Sequence, residues 1–188
     1  MIQNNFHSAP AVRPVVFEQV FAEKAGGGGA VDFANYDSDL CPAATPVGRN
    51  TVTNLWTPIK QVRLTRAVAA ADTTIEVAKN SGFKDDDYIA FGKKSVQITA
   101  VDNTNPTHDV LTVTMGVALP VGAKGYQAAA ASASAAAPIY SPRFVLGVYV
   151  DLPTVNEFCK LINGANVIES SAVIAPEIAA MLKLIDLV

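Results

Sequence analysis

Five short runs with period-two patterning constrain this chain more than anything else in it: residues 61–65, 73–77, 87–91, 95–101 and 110–114. A period of two puts successive side chains on opposite faces of a strand, so each run can bury one face and wet the other. Turn-forming residues separate them, notably Gly82-Phe83-Lys84-Asp85 and Asp102-Asn103-Thr104-Asn105-Pro106. Strands this short at this spacing predict a small β-barrel or sandwich over residues 58–127.

The flanks read differently. Residues 1–57 carry Pro10, Pro14, Pro42 and Pro46 and four consecutive glycines at 26–29. These interrupt regular structure, so the segment reads as an extended Pro/Gly-rich arm with a glycine hinge and one strand within residues 15–21. Residues 128–138 are an Ala-rich linker, interrupted by Ser132 and Ser134 and ended by Pro138. Residues 139–188 read as strand-helix-strand-helix. A strand covers 143–150. Thr154 with Glu157 forms a capping box that opens a helix carrying Val155, Phe158, Cys159 and Ile162 on one stripe and stopping near Gly164. A second strand falls within 166–174. Pro176 suits the first turn of a last helix, on which Ile178, Met181, Leu182 and Ile185 recur at helical spacing. The fold class expected is mainly β with a smaller α+β part.

The last helix also carries Leu184, Leu187 and Val188. A C-terminal piece of roughly 50 residues buries little by itself, so this apolar surface is expected to pack on the β module or on another copy of the chain. Ile178, Met181, Leu182 and Ile185, with Trp56, are therefore the candidate interaction surface, and self-association is expected.

Composition narrows the function. Half the residues are hydrophobic, which excludes a disordered polymer. Only 16% are charged, which suits a protein that hides surface against neighbours. The net charge is −3 and no cluster of Lys and Arg occurs, so a nucleic-acid groove, which releases counterions through such a cluster, is not expected. No apolar run is long enough for a membrane span, and the first residues lack the basic and apolar regions of a secretory signal. Synthesis in the cytoplasm is expected.

Catalytic and metal signals are weak throughout. His7 and His108 have no sequence neighbour that reads as a partner, and no cofactor motif occurs. Asp85-Asp86-Asp87 could contribute to a Ca²⁺ site, but the pattern of a calcium loop is not met, and a solvated turn is the plainer reading. The glycine tract lacks the Lys-Ser/Thr of a phosphate loop. Trp56 suggests sugar stacking or, more simply, a packing anchor. Cys41 and Cys159 show no metal spacing; Cys159 reads as a small core residue, and whether the two pair is left open.

One stretch is more specific. Ala69-Ala70-Ala71-Asp72-Thr73-Thr74-Ile75-Glu76-Val77 leads to Ser81-Gly82-Phe83-Lys84-Asp85-Asp86-Asp87-Tyr88-Ile89. Then come Val96-Gln97-Ile98-Thr99-Ala100-Val101-Asp102, Val110-Leu111-Thr112-Val113 and the closing Leu119-Pro120-Val121-Gly122-Ala123-Lys124-Gly125-Tyr126. This block resembles a small β module of phage head and fibre proteins, with Asp85 or Asp86 standing where that module often has Gly. The whole chain resembles bacteriophage and prophage head-fibre, or capsid-decoration, proteins. The resemblance implies a non-enzymatic virion protein that binds capsid proteins, forms homotrimers and has no catalytic residues or cofactor. A carbohydrate-binding or adhesin module of a bacterial surface is the alternative, and a small enzyme a third reading.

Overall fold

The computed structural model describes residues 13–151 and 156–188. It is mainly β. The N-terminal strands are β1 (Phe17–Glu23), β2 (Gly29–Val31), β3 (Leu40–Cys41), β4 (Pro46–Arg49) and β5 (Trp56–Pro58). The central ones are β6 (Gln61–Arg63), β7 (Thr74–Ala78), β8 (Tyr88–Phe91), β9 (Lys94–Gln97), β10 (Ala100–Asp102), β11 (His108–Thr112) and β12 (Lys124–Ala128). The C-terminal part has β13 (Pro142–Leu146), β14 (Val150–Asp151), β15 (Glu157–Cys159), β16 (Leu161–Val167), a one-turn helix α1 (Pro176–Ala179) and β17 (Ile185–Leu187).

The central strands form two small sheets in the orders β10-β11-β7 and β6-β12-β8-β9. Leu64 bridges to Val77 and Val68 to Leu119, which ties them together. Between them lies a core of Val62, Leu64, Ile75, Val77, Phe83, Ile89, Ile98, Leu111 and Met115. The alternation that predicts these strands is the alternation that fills this core: Ile75 and Val77 are buried while Thr74 and Glu76 are not. The run at 95–101 is divided between β9 and β10. At the break, Ile98 donates its backbone N–H to Asp87 and accepts one from Asp86.

The flanks depart from their linear reading. Strands from both ends of the chain build one eight-stranded sheet, ordered β1-β16-β13-β4-β5-β2-β15, with β17 parallel to β16. Because only Lys160 separates β15 from β16, the far end of that order returns beside β16 and the sheet curls. The segment read as an arm therefore supplies β1 to β5, and the central module is inserted between β5 and β13. Gly26, Gly27 and Gly28 lie in the β1–β2 turn, and Gly29 opens β2. Gly26 and Gly27 have φ of 85° and 75°, conformations that L side chains rarely adopt. Gly28 lies so close to β15 that an added Cβ would stand 2.3 Å from the carbonyl oxygen of Cys159.

The helix expected to open at Thr154 is corrected. Thr154 and Val155 lie outside the described residues, but Glu157, Phe158, Cys159 and Ile162 lie on β15 and β16. Cys159, Leu161, Ala165 and Val167 are buried, and β16 has partners on both sides. Tertiary pairing overrides the local capping signal. The last helix is likewise shorter than its apolar spacing implies, ending at Ala179 before β17. The Ala-rich segment is no helix either. Ser132 and Ser95 exchange backbone hydrogen bonds of 3.0 and 2.8 Å, which fastens the segment to the module beside β9.

Two further cores complete the packing. One holds Val31, Phe33, Cys41, Val47, Leu146 and Leu161 within the curl of the large sheet. The other joins Ile59, Ala90, Tyr126 and Ala128 of the module to Val145, Ile162, Ile174, Ile178, Leu182 and Ile185.

Candidate functional site

Where the inserted module meets the large sheet, both contribute to a cavity of about 190 Å³. Asp32, Asn35 and Tyr36 enter from the loop after β2, and Thr57 and Pro58 from β5. Lys60 lies in the crossing between β5 and β6. Asp87 precedes β8, Gln127 lies on β12, and Ile139 and Tyr140 precede β13.

The centre of this site is a buried ion pair. Lys60 is 1% exposed, and its Nζ donates to Asp87 Oδ2 at 2.5 Å. Asp87 Oδ2 also accepts the Lys84 backbone N–H at 3.0 Å, and Oδ1 accepts from Gln127 Nε2 at 3.1 Å. The ammonium sits 5.6 Å from the centre of the Phe83 ring. Burial draws the Lys60 pKa below its ordinary value, and the neighbouring Asp87 carboxylate opposes that shift. Ile59 and Lys60 are both buried in the crossing, and the Lys60 carbonyl accepts the Gln127 N–H at 2.9 Å.

The donors and acceptors are only partly used. An ammonium has three N–H donors, and among the described residues Lys60 directs one hydrogen bond, to Asp87. Among the described residues Thr57 Oγ1 is buried without a partner. Asp32 Oδ1 accepts the Ala34 N–H at 2.9 Å, Asn35 Oδ1 accepts from Lys84 Nζ at 2.7 Å, and the Tyr140 hydroxyl accepts from Asn50 Nδ2 at 3.2 Å. The site can therefore hold a small polar molecule by hydrogen bonds.

The candidate surface residues lie elsewhere. Ile178, Leu182 and Ile185 are buried in the core shared with the module; Met181 is 41% exposed. Met181 lies beside Leu184 in an open hollow that also includes Arg143 and Asn163. Trp56 is half-buried. Its ring meets Phe144 edge-on at 4.9 Å, and the Arg49 guanidinium lies 5.8 Å from its centre. These contacts make Trp56 an anchor of the curled sheet. The five residues do not share one surface.

The acidic run engages three separate partners. Asp85 Oδ1 accepts the Val101 N–H at 2.8 Å, Asp86 Oδ1 accepts from Gln97 Nε2 at 3.0 Å, and Asp87 holds Lys60. Among the described residues, no three His, Cys, Asp or Glu side chains are placed to hold a metal ion. His7 lies outside the described residues; His108 Nδ1 is 3.0 Å from the Thr107 hydroxyl. Cys41 and Cys159 are both buried and free. No helix of the described residues is long and apolar enough to cross a membrane.

Sequence reasoning missed Lys60, whose neighbours give no sign that it is buried. Asp87 was visible only as one of three acids. No family model matches the chain, and no curated protein or solved structure is found similar to it.

Proposed function

We propose that this chain is a non-enzymatic virion structural protein, a head-fibre or capsid-decoration subunit that binds capsid proteins and associates with copies of itself. The observation that best supports this reading is the open edge of β1. Among the described residues, this seven-residue strand pairs with β16 alone. Among the described residues no strand pairs with its outer row of N–H and C=O groups, which can template another strand. It also carries apolar side chains into solvent, Val20 at 37% exposed and Phe21 at 53%. At the other end of the sheet order, Phe158 on β15 is 74% exposed. An open edge with apolar residues can bind another polypeptide. A symmetric oligomer repeats such contacts, and its avidity then fixes a weakly binding subunit to a capsid lattice.

Sedimentation tests both halves of the proposal. The wild-type chain is expected to sediment as a multiple of its 19.7 kDa mass, and the double variant Val20→Lys, Phe21→Lys as a monomer. The wild-type chain is also expected to pellet with phage heads from its source. A wild-type monomer rejects self-association through β1, and a chain that stays in the supernatant rejects capsid binding.

A further inference from the structure

The lining of the cavity around Lys60 includes no residue of β1, so this site is distinct from the assembly edge. Its charges nearly cancel. Lys60 and Asp87 neutralise each other at 2.5 Å, which leaves Asp32 as the remaining formal charge in the lining. An anion would meet the Asp32 carboxylate, and a cation would give up its water to a cavity whose buried carboxylate, Asp87, is already paired with Lys60. The ligand that fits is neutral. At about 190 Å³ the cavity falls below the range that holds drug-sized ligands, so the ligand is also small.

The open hydrogen-bonding positions are mixed. The Lys60 ammonium offers unused donors, and Gln127 uses its amide nitrogen on Asp87, which leaves its amide oxygen as an acceptor. Pro58, Ile139 and Tyr140 supply an apolar wall beside these groups. Hydroxyl groups, which donate and accept at once on a carbon ring, match this combination of a polar and an apolar side. We propose that the cavity binds a single neutral sugar ring, such as one residue of a surface glycan, with Lys60, Asp32 and Gln127 as its polar contacts. This site is separate from Trp56 and independent of the assembly role.

Saturation-transfer NMR on the full chain tests it with glucose, galactose, mannose and N-acetylglucosamine as neutral probes, N-acetylneuraminic acid as the anionic one and glucosamine as the cationic one. At least one neutral sugar is expected to show transfer, and the two charged sugars none. Ile139→Trp places a large ring in the cavity at a half-buried position, and Asp32→Ala removes a half-buried polar contact. Each is expected to weaken binding by about tenfold or more, with the native circular dichroism spectrum retained. Silence from all four neutral sugars overturns the proposal. So does transfer that survives Ile139→Trp in a folded variant, or charged sugars that bind as well as the neutral ones. If Ile139→Trp does not fold, Asp32→Ala decides alone, and unchanged binding in that variant overturns it equally.

Discussion

Cys41 has no contact with water, and its thiol is pushed up to about 12, chiefly by burial, with a hydrogen bond to Thr45 working against the shift. Cys159 is pushed up to about 11 by the same cause. A raised acid binds its proton longer in the folded state than in the unfolded chain, where a thiol ionises near 9. Above that pH the unfolded state holds fewer protons, so stability falls as pH rises, until the folded thiol also ionises. Lys60 acts in the opposite sense. Its lowered value means that the folded state gives up a proton while the unfolded lysine still holds one, so its contribution to stability rises with pH towards 10.5. A comparison of variants separates the two. Relative to Cys41→Ala, the wild-type protein is expected to lose stability steadily as pH rises from 9 towards 12, as followed by urea unfolding at fixed pH values. Parallel stability curves for the two proteins across that range would show that the thiol is not held protonated. None of this was legible in the sequence, where Cys41 lies in a Pro-rich segment that carries no periodicity. The position is buried in the core within the large sheet, and β3, which carries it, pairs with β14 from a distant part of the chain.

At the scale of elements, legibility follows the distance between partners. Strands β7, β8 and β11 pair within the module, at Ile75 with Leu111 and Ile89 with Val96, and their alternation is visible because one face meets a nearby core. The C-terminal strands behave otherwise. β16 is covered on both faces, Leu161 lying in one core and Ile162 and Ala165 in another, so all three are buried and clean alternation is lost. Apolar residues in such a strand fall by accident at helical spacing, and a Thr-x-x-Glu sequence before them completes the false signal. The glycine tract was read as a hinge for a related reason. Its composition signals freedom, while its actual constraint is the nearness of β15 and Trp56. That difference can be measured. Gly28→Ala forces a methyl group against the Cys159 carbonyl and is expected to cost about 2 kcal/mol or more, in the range of a substitution that creates overlap. Gly26→Ala meets open space, so it bears only the strain of its positive φ, about 1 kcal/mol. Denaturant melts that rank the two the other way would return the tract to a flexible role.

For the whole molecule, the decisive feature is that the chain closes on itself. Phe17 pairs with Val167 and Glu23 with Ile162, while the module between them keeps a separate core. Such pairing carries no local signature, because loop closure over most of the chain is settled by the sum of contacts and not by any run of residues. The consequence is a molecule with two unequal dependences on its N-terminus. Removal of residues 1–23 takes away all of β1 and leaves β16 with one open side, but removes nothing from the module's core. Hydrogen exchange in the truncated chain is therefore expected to lose protection across Leu161–Val167, while amides of β7, β8 and β11 exchange as slowly as in the full chain. An assembly based on β1 would disappear in the same variant, since the strand that offers the free edge is gone. Were protection of β16 unchanged, the N-terminal strand would be an appendage to a fold complete without it. The open edge would then lie on β16 itself, and the truncated chain would associate as readily as the whole one.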